Sequence, residues 1–457
     1  MKISDISKNK HLYFVGIGGI SMSSLAEIFF RAGYSVCGYD RSRTEVTQRL
    51  SDMGIKIWYE TDESHFENVG LAVATAAIHP DNPEMVVLRR KGIPCITRAE
   101  LLGALGSRYE NSIAVAGTHG KSTTTGMLSE IFIHSKKCDP TVLIGAVLQE
   151  IGGTFRVGTD GNFIYEACEY TDSFLSFFPH IAAVLNIQLD HTDYFKDIDA
   201  IVSSFSKFIN NAGENGFAVI NLDSDHAVAA ADNCVPKKIT FSASGNKSAD
   251  YYAADIKCDG GFAEYDLYRR DELLTHISLS VPGIQNIEDS LCAAVCADLS
   301  GIPASETASG LHSFKGVARR FEFKGRLNGA PVFDDYAHHP DEIRATLASA
   351  KLMGYGRIVT VFQPHTYSRL HDLFNRFSEA FTDSDLTVFA DIFSASRETN
   401  IYGISSKDLS DAVPGSLYLP SFAEIEDYLR KEITKDDVLI VMGAGDINTV
   451  AKNLTKQ

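Results

Sequence analysis

The segment that most constrains this chain is an apolar run that leads into a glycine turn, a lysine and a row of hydroxyls. Residues 115–125 read V-A-G-T-H-G-K-S-T-T-T. Glycines let backbone N–H groups turn toward phosphate oxygens, Lys121 supplies a positive charge, and the Ser122 hydroxyl is suited to bind Mg²⁺. The pattern predicts a strand, a triphosphate-binding loop and a helix.

This loop is shorter than the common G-x-x-x-x-G-K-[ST] pattern, because position 115 is Val115 and the first glycine is Gly117. A surface turn with an exposed lysine is the alternative interpretation. The residues predicted to bind ATP here are Gly117, Thr118, His119, Gly120, Lys121, Ser122 and Thr123.

Composition limits the classes of protein to which the chain can belong. With 457 residues, 44% of them hydrophobic, the chain can form several packed cores, and a net charge of -17 disfavours a nucleic-acid partner. Its eight cysteines include no C-x-x-C pair, which predicts reduced thiols and a cytoplasmic location. The chain has no apolar stretch of about eighteen residues, so we expect no membrane span. We expect a monomer or a weak homodimer.

A second glycine turn lies near the N-terminus. An apolar strand at 11–15 precedes G-I-G-G-I-S-M at 16–22 and a helical pattern, and the next strand ends at Asp40, where a nucleotide-binding acid is expected. Two ligands remain open, a nicotinamide cofactor and a nucleotide-sugar diphosphate at the helix N-terminus. The residues predicted to bind are Gly16, Gly18, Gly19, Ser21, Met22 and Asp40.

Strand and helix signals alternate along the whole chain, which predicts an α/β protein of three consecutive domains. Residues 1–107 are expected to form a Rossmann-like domain, and residues 108–319 a P-loop ATPase-type domain with a mostly parallel sheet. Residues 320–457 are expected to form a second Rossmann-like domain.

Acidic and imidazole side chains follow two strands of the central domain. Glu166 ends one predicted strand and His191 follows another. Because open α/β sheets bind ligands at the carboxyl ends of their strands, these side chains should face the phosphate loop. Ser122, Glu166 and His191 are therefore predicted to bind Mg²⁺, with Mn²⁺ as an alternative ion. Glu169 is the rival carboxylate, and spacing does not decide between the two glutamates.

Seven motifs occur in the order typical of Mur ligases, and the chain resembles that family over nearly its whole length. D-D-Y-A-H-H-P and Q-P-H are the most specific. The motifs are G-I-G-G-I-S-M at 16–22, G-T-H-G-K-S at 117–122, E-A-C-E at 166–169, D-H at 190–191, R-R-F at 319–321, D-D-Y-A-H-H-P at 334–340 and Q-P-H at 363–365.

The resemblance implies an ATP-dependent amide-bond ligase. Its three domains would bind a UDP-sugar, ATP and an amino acid, and the carboxylate of UDP-N-acetylmuramate would be joined to L-alanine through an acyl phosphate. A recycled tripeptide in place of alanine is the alternative. A nicotinamide-dependent oxidoreductase would explain the N-terminal glycine turn but not Lys121, and a non-catalytic nucleotide sensor would not need every charged group.

The resemblance also implies individual roles. Lys121, His191, Arg320 and His338 would be catalytic, with Arg320 at the γ-phosphate, Asn286 at the adenine and Asp335 at the ribose. Lys207 stands where several members carry a carbamylated lysine, and an ordinary solvated lysine is the alternative. The residues that would surround the amino acid are His338, His339, His365 and Arg369.

Three positions depart from the usual family spelling. Gln285 and Asp289 replace the histidine and the second asparagine of H-N-x-x-N, and Thr366 stands where arginine commonly follows Q-P-H.

Overall fold

The structure is a computed structural model that describes residues 8–75, 78–191, 194–394 and 398–456. The chain folds into two compact units. The first comprises Met1–Tyr252, Tyr268–Glu272 and Asp289–Gly310, and the second comprises Ala253–Leu267, Leu273–Glu288 and Leu311–Gln457.

The first unit begins with a five-stranded parallel sheet in the order β3-β2-β1-β4-β5. Its central strand is buried from Leu12 to Val15 because both faces of the sheet are covered. The elements are β1 (His11–Val15), α1 (Ile20–Arg31), β2 (Val36–Tyr39), α2 (Glu45–Asp52), β3 (Lys56–Trp58), β4 (Val69–Ala74), α3 (Pro83–Arg90), β5 (Cys95–Thr97) and α4 (Arg98–Gly106).

The same unit contains most of a second sheet, in the order β12-β11-β10-β6-β9-β7-β8. Its strands are parallel except for the β7–β8 hairpin, and β6 lies between β10 and β9. The elements are β6 (Asn111–Ala116), α5 (Lys121–His134), β7 (Thr141–Leu148), β8 (Gly153–Arg156), β9 (Asn162–Glu166), β10 (Ile181–Val184), α6 (Ile198–Asn210), β11 (Phe217–Asn221), α7 (Asp225–Ala230) and β12 (Lys237–Ser242).

Three long strands then continue the chain, and two helices follow them. The strands are β13 (Tyr251–Asp259), β14 (Phe262–Arg269) and β15 (Glu272–Pro282), and the helices are α8 (Asn286–Leu299) and α9 (Ala304–Ser313). Cys292 and Cys296 are buried free thiols of α8, so they contribute to core packing.

The second unit contains a six-stranded sheet in the order β16-β17-β21-β18-β19-β20, in which only the β16–β17 pair is antiparallel. Its elements are β16 (Glu322–Leu327), β17 (Ala330–Asp335), α10 (Pro340–Leu352), β18 (Arg357–Phe362), α11 (Tyr367–Asp372), α12 (Phe374–Ser378), β19 (Leu386–Phe389), α13 (Ser406–Ala412), β20 (Leu417–Tyr418), α14 (Phe422–Glu432), β21 (Asp437–Met442) and α15 (Asn448–Thr455).

The predicted class, three α/β domains with mostly parallel sheets, is confirmed. The domain boundaries at 107/108 and 319/320 stay predictions. Over the described part of the chain, the structure contains no helix that is both long and apolar enough to cross a membrane.

Candidate active site

The phosphate loop joins the carboxyl end of β6 to the N-terminus of α5, as the sequence predicted. Gly120 caps the helix with φ of 83°, a conformation that L side chains rarely adopt, and a Cβ there would overlap the Asp289 carboxylate. At Gly117 a Cβ would lie 3.0 Å from Leu185 Cβ. Both glycines are therefore required by the local packing.

The segment that follows β10 holds this loop in place. The Thr118 amide donates to the Asn186 carbonyl at 3.0 Å, and the His119 amide donates to Asn186 Oδ1 at 2.9 Å. The Gln188 amide donates to Thr118 Oγ1 at 2.9 Å. Asn186 and Gln188 were not among the predicted site residues, although both follow a buried strand beside β6, a position that favours ligand-binding residues.

Lys121 is held by the loop and by a buried acid. Its Nζ donates to the Gly117 carbonyl, to the Thr118 carbonyl at 3.2 Å and to Glu169 Oε2 at 3.1 Å. Burial alone would lower the pKa of Lys121, but the charge and hydrogen bond of Glu169, together with Cys168 and Glu166, outweigh it and the pKa is raised. The ammonium therefore stays charged where phosphate is expected.

Glu169 also lies beside His191. Glu169 is only 2% exposed, and its Oε1 lies 3.6 Å from His191 Nε2. The carboxylate of Glu166 instead accepts the Gly145 amide at 2.6 Å, while remaining within electrostatic range of Lys121. The structure thus brings Lys121 and His191 together around the Glu169 carboxylate.

The N-terminal glycine turn is stabilised by the predicted acid. Asp40 Oδ2 accepts the Gly18 amide at 2.8 Å, and Oδ1 accepts the Ser42 amide at 3.1 Å. Gly16 has φ of 79°, and Met22 is buried in the core beneath α1. The Asp40 side chain therefore fixes the turn by accepting a hydrogen bond from the backbone amide of Gly18.

In the second unit, Asp335 fixes the chain just before β16 and just after β17. Its carboxylate accepts the Phe321 amide and the Ala337 amide, both at 2.7 Å. Burial raises its pKa. Arg320 lies over the Tyr336 ring at 5.4 Å, with Nη1 3.7 Å from Glu342 Oε1. The predicted contact of Asp335 with a ribose stays a prediction.

The two adjacent histidines have different surroundings. His338 Nδ1 lies 3.0 Å from the Tyr336 carbonyl and 3.2 Å from Glu342 Oε2, and its ring centroid is 5.8 Å from that of His365. His339 is the N-cap of α10 and forms a capping box with Glu342. A structural role therefore accounts for His339, and its predicted contact with an amino acid stays a prediction.

Arg369 lies on α11, and one of its side-chain donors has no acceptor among the described residues. Its Nη1 is buried without a hydrogen-bond partner within the described ranges. Nearby, Glu398 accepts the Tyr367 amide at 2.8 Å and the Ser368 hydroxyl at 2.6 Å, so it holds the start of α11. Thr366 precedes the helix with φ of 68°. Glu398 was not predicted, since it is distant in sequence and belongs to no motif used.

The structure also defines the surroundings of two other residues for which the resemblance implied a role. Asn286 is buried at the start of α8, and its Nδ2 donates to the Pro282 carbonyl at 2.8 Å, so its predicted adenine contact stays untested. Lys207 is exposed in the last turn of α6, which favours an ordinary solvated lysine.

Asp334 provides a pH-dependence prediction. It is 1% exposed, its oxygens have no hydrogen bond among the described residues, and Arg319 Nε lies 3.6 Å away. Burial, opposed by Arg319, raises the pKa of Asp334 to about 6 from a usual 3.8. Because the folded-state pKa is the higher one, stability is lost as pH rises through this interval and stays lost above it.

Asp334→Asn should remove this dependence. The unfolding free energy of the variant relative to the natural chain should rise by on the order of 3 kcal/mol between pH 4 and 7. Denaturant titrations at several pH values measure this difference, and a difference that is constant with pH would contradict the prediction.

Three parts of the chain match models of one protein family. The model of the Mur ligase family catalytic domain matches residues 11–110, that of the Mur ligase middle domain matches 115–297, and that of the Mur ligase glutamate ligase domain matches 319–445. The chain belongs to the Mur ligase family.

Individual relatives are similar over their full length. A UDP-N-acetylmuramate–L-alanine ligase of Acetivibrio thermocellus is 43% identical, with 100% of this chain and 98% of that protein covered. One of Lachnospira eligens is 45% identical, with 99% of each covered. The crystal structure of UDP-N-acetylmuramate-alanine ligase from Thermotoga maritima matches with a TM-score of 0.79 and 26% identity, covering 97% of this chain and 98% of that one.

Proposed function

We propose that this protein is an ATP-dependent ligase that joins L-alanine to the carboxylate of UDP-N-acetylmuramate, a step of peptidoglycan precursor synthesis. The observation that carries the proposal is the Lys121 ammonium, held at the phosphate loop by buried Glu169 next to His191. The substrates proposed are supported by the full-length relatives, which are UDP-N-acetylmuramate–L-alanine ligases.

The chemistry requires neutralisation of charge. The substrate carboxylate attacks the γ-phosphorus of ATP, and ADP leaves with the bonding electrons. The product is an acyl phosphate. Two anions must therefore approach each other, and Lys121 offsets the charge on the phosphoryl oxygens. Arg320 is proposed to act on the same phosphoryl group, since a guanidinium binds two oxygens at once.

The residues around Lys121 fit a bound Mg²⁺. Glu169 supplies a hard carboxylate, Ser122 a hydroxyl at the start of α5, and His191 an imidazole. Among the described residues no three His, Cys, Asp or Glu side chains form a metal cluster, so phosphate oxygens and water would complete the coordination. The ion would reduce charge repulsion between ATP and the carboxylate. We propose Glu169 as the principal carboxylate ligand, with Glu166 nearby.

The second unit is proposed to bind the amino acid. Its carboxylate would pair with Arg369, whose buried Nη1 has no partner among the described residues. The ammonium must lose a proton before the amine attacks the acyl carbon and phosphate leaves. His338, beside Glu342 and His365, is proposed to accept that proton. We also propose a cytoplasmic monomer or weak homodimer.

Arg369→Lys should raise KM for L-alanine about 10- to 100-fold, because lysine keeps the charge but loses the paired donors. KM for ATP should not change. The control is Arg376→Lys, because Arg376 is an exposed arginine that pairs with Asp341. Equal KM values for alanine in the variant and the natural chain would exclude this role.

The function is tested by phosphate release with ATP, Mg²⁺ and UDP-N-acetylmuramate in the presence of L-alanine, glycine, L-serine or a stem tripeptide. We expect turnover to be fastest with L-alanine. Turnover with the tripeptide but not with alanine would reassign the protein as a muropeptide ligase. No phosphate release with any amine would exclude ligase activity.

A further inference from the structure

Two adjacent residues that follow Glu169 adopt a backbone conformation that few side chains tolerate. Thr171 has φ of 53° and Asp172 has φ of 56°, and for a β-branched residue such as Thr171 the left-handed region is an outlier. His191, which lies beside Glu169, also has a positive φ, of 52°. Residues in this region persist where surrounding contacts hold them, and they are concentrated at active sites. The conformation therefore indicates that Asp172 is held by specific contacts.

The Asp172 carboxylate accepts two hydroxyl groups from the part of the chain that follows His191. Tyr194 Oη donates to Asp172 Oδ2 at 2.8 Å, and Ser204 Oγ of α6 donates to Asp172 Oδ1. The hydrogen bond to Asp172 raises the pKa of Tyr194, so the phenol stays protonated and continues to donate. The Asp172 amide donates to the Glu169 carbonyl at 2.9 Å. Asp172 thus connects Glu169 to Tyr194 and to α6.

Tyr194 and Tyr170 in turn surround His191. The amides of Tyr194 and Phe195 donate to the His191 carbonyl at 2.8 and 2.9 Å, so the position of Tyr194 fixes the backbone that carries the imidazole. The Tyr170 ring lies against the imidazole, with ring centroids 4.6 Å apart, and meets the Tyr194 ring edge-on at 6.4 Å. The two tyrosine rings therefore restrict the orientation of the imidazole, whose Nε2 lies 3.6 Å from Glu169 Oε1.

We propose that Asp172 is a positioning residue for His191 and acts through the Tyr194 hydroxyl. This inference rests on the proposed function, in which His191 is proposed to contact the bound ion. A direct role for Asp172 as an ion ligand is disfavoured, because each of its oxygens accepts a hydroxyl of the protein. A fixed imidazole aids the reaction, since a group that is held in the productive geometry needs no reorganisation when the phosphoryl group is transferred.

Tyr194→Phe is the most specific variant, because it deletes the hydroxyl that Asp172 accepts and keeps the ring. In the phosphate-release assay, kcat should fall about tenfold, while KM for L-alanine should not change. Asp172→Ala should cost at least as much, and Asp172→Asn should cost less because its amide oxygen still accepts a hydroxyl. The matched control is Tyr251→Phe, which removes a hydroxyl that donates to Asp298 at 2.6 Å and should leave kcat unchanged.

A second variant background separates positioning of His191 from a general loss of activity. In a chain that carries His191→Ala, Tyr194→Phe should cause no further fall in kcat, because the group that it positions is already absent. A further tenfold fall in that background would show that Tyr194 acts independently of His191 and would overturn the assignment. The NMR comparison below decides the question if His191→Ala has no measurable turnover.

Imidazole NMR tests the same contact without turnover. In the full chain labelled with ¹⁵N in its histidines, the ring signals of His191 are identified by their loss in His191→Ala. Tyr194→Phe should shift or broaden these signals, whereas Tyr251→Phe should leave them in place. Unchanged His191 signals in Tyr194→Phe, or an unchanged kcat, would overturn the inference. If the natural chain releases no phosphate, the proposed function fails, and the NMR comparison still decides whether Tyr194 orients His191.

Discussion

Replacing Lys121 with alanine is expected to reduce ligase turnover by about a thousandfold or more, because the phosphoryl group would lose a preorganised positive charge in a buried site. The ammonium is held by two loop carbonyls and by Glu169, so its charge is fixed in position at the phosphate loop. Initial rates of phosphate release with saturating substrates measure the loss.

Binding of the UDP-sugar separates this effect from misfolding. Lys121→Ala should bind UDP-N-acetylmuramate nearly as well as the natural chain, since the glycine turn that follows β1 is independent of Lys121. Lys137→Ala removes a charge from an exposed residue shortly after α5 and should leave turnover unchanged. Loss of both turnover and sugar binding in Lys121→Ala would contradict the assignment of the two ligands to separate sites.

Glu169→Gln is expected to lower turnover about a hundredfold and to raise the Mg²⁺ concentration needed for half-maximal activity. The amide keeps the shape of the side chain but removes the buried charge that faces both Lys121 and His191. Glu166→Gln should cost less, about tenfold or below, because its carboxylate accepts the Gly145 amide and does not contact Lys121 directly.

Glu166 is the last residue of β9 and Glu169 lies three positions after it, so the two variants serve as matched controls for each other. Rates measured across a Mg²⁺ titration compare them. A larger loss in Glu166→Gln, with normal Mg²⁺ dependence in Glu169→Gln, would show that the carboxylate nearest Lys121 in this structure has no part in binding the ion.

Sequence patterns predicted the elements whose signals are local. The apolar runs at β1 and β6 identify strands that are buried in the structure. The glycines of both turns were correctly associated with a strand end and a helix start because their backbone conformation restricts side chains. The strands β13 to β15 were missed, although the alternation of polar and apolar residues in β14 is itself a signal for a half-buried strand.

Contacts between residues that are distant in the chain could not be predicted from the sequence. Spacing left Glu166 and Glu169 equivalent, and only the path of the chain after β9 places Glu169 beside Lys121. Asp172 belongs to no motif used, and its contact with Tyr194 joins residues 22 positions apart. His339 belongs to a specific motif, yet it caps a helix, because a histidine preceding proline can accept the amide at the start of α10.

Oxygen transfer from the substrate carboxylate to phosphate tests carboxylate activation most directly. UDP-N-acetylmuramate labelled with ¹⁸O in both carboxylate oxygens would be incubated with ATP, Mg²⁺ and L-alanine, and the phosphate and the ligated product would be analysed by mass spectrometry. An acyl phosphate intermediate predicts one labelled oxygen in each phosphate released and one retained in the new amide. Ligated product accompanied by unlabelled phosphate would contradict activation of the carboxylate by ATP.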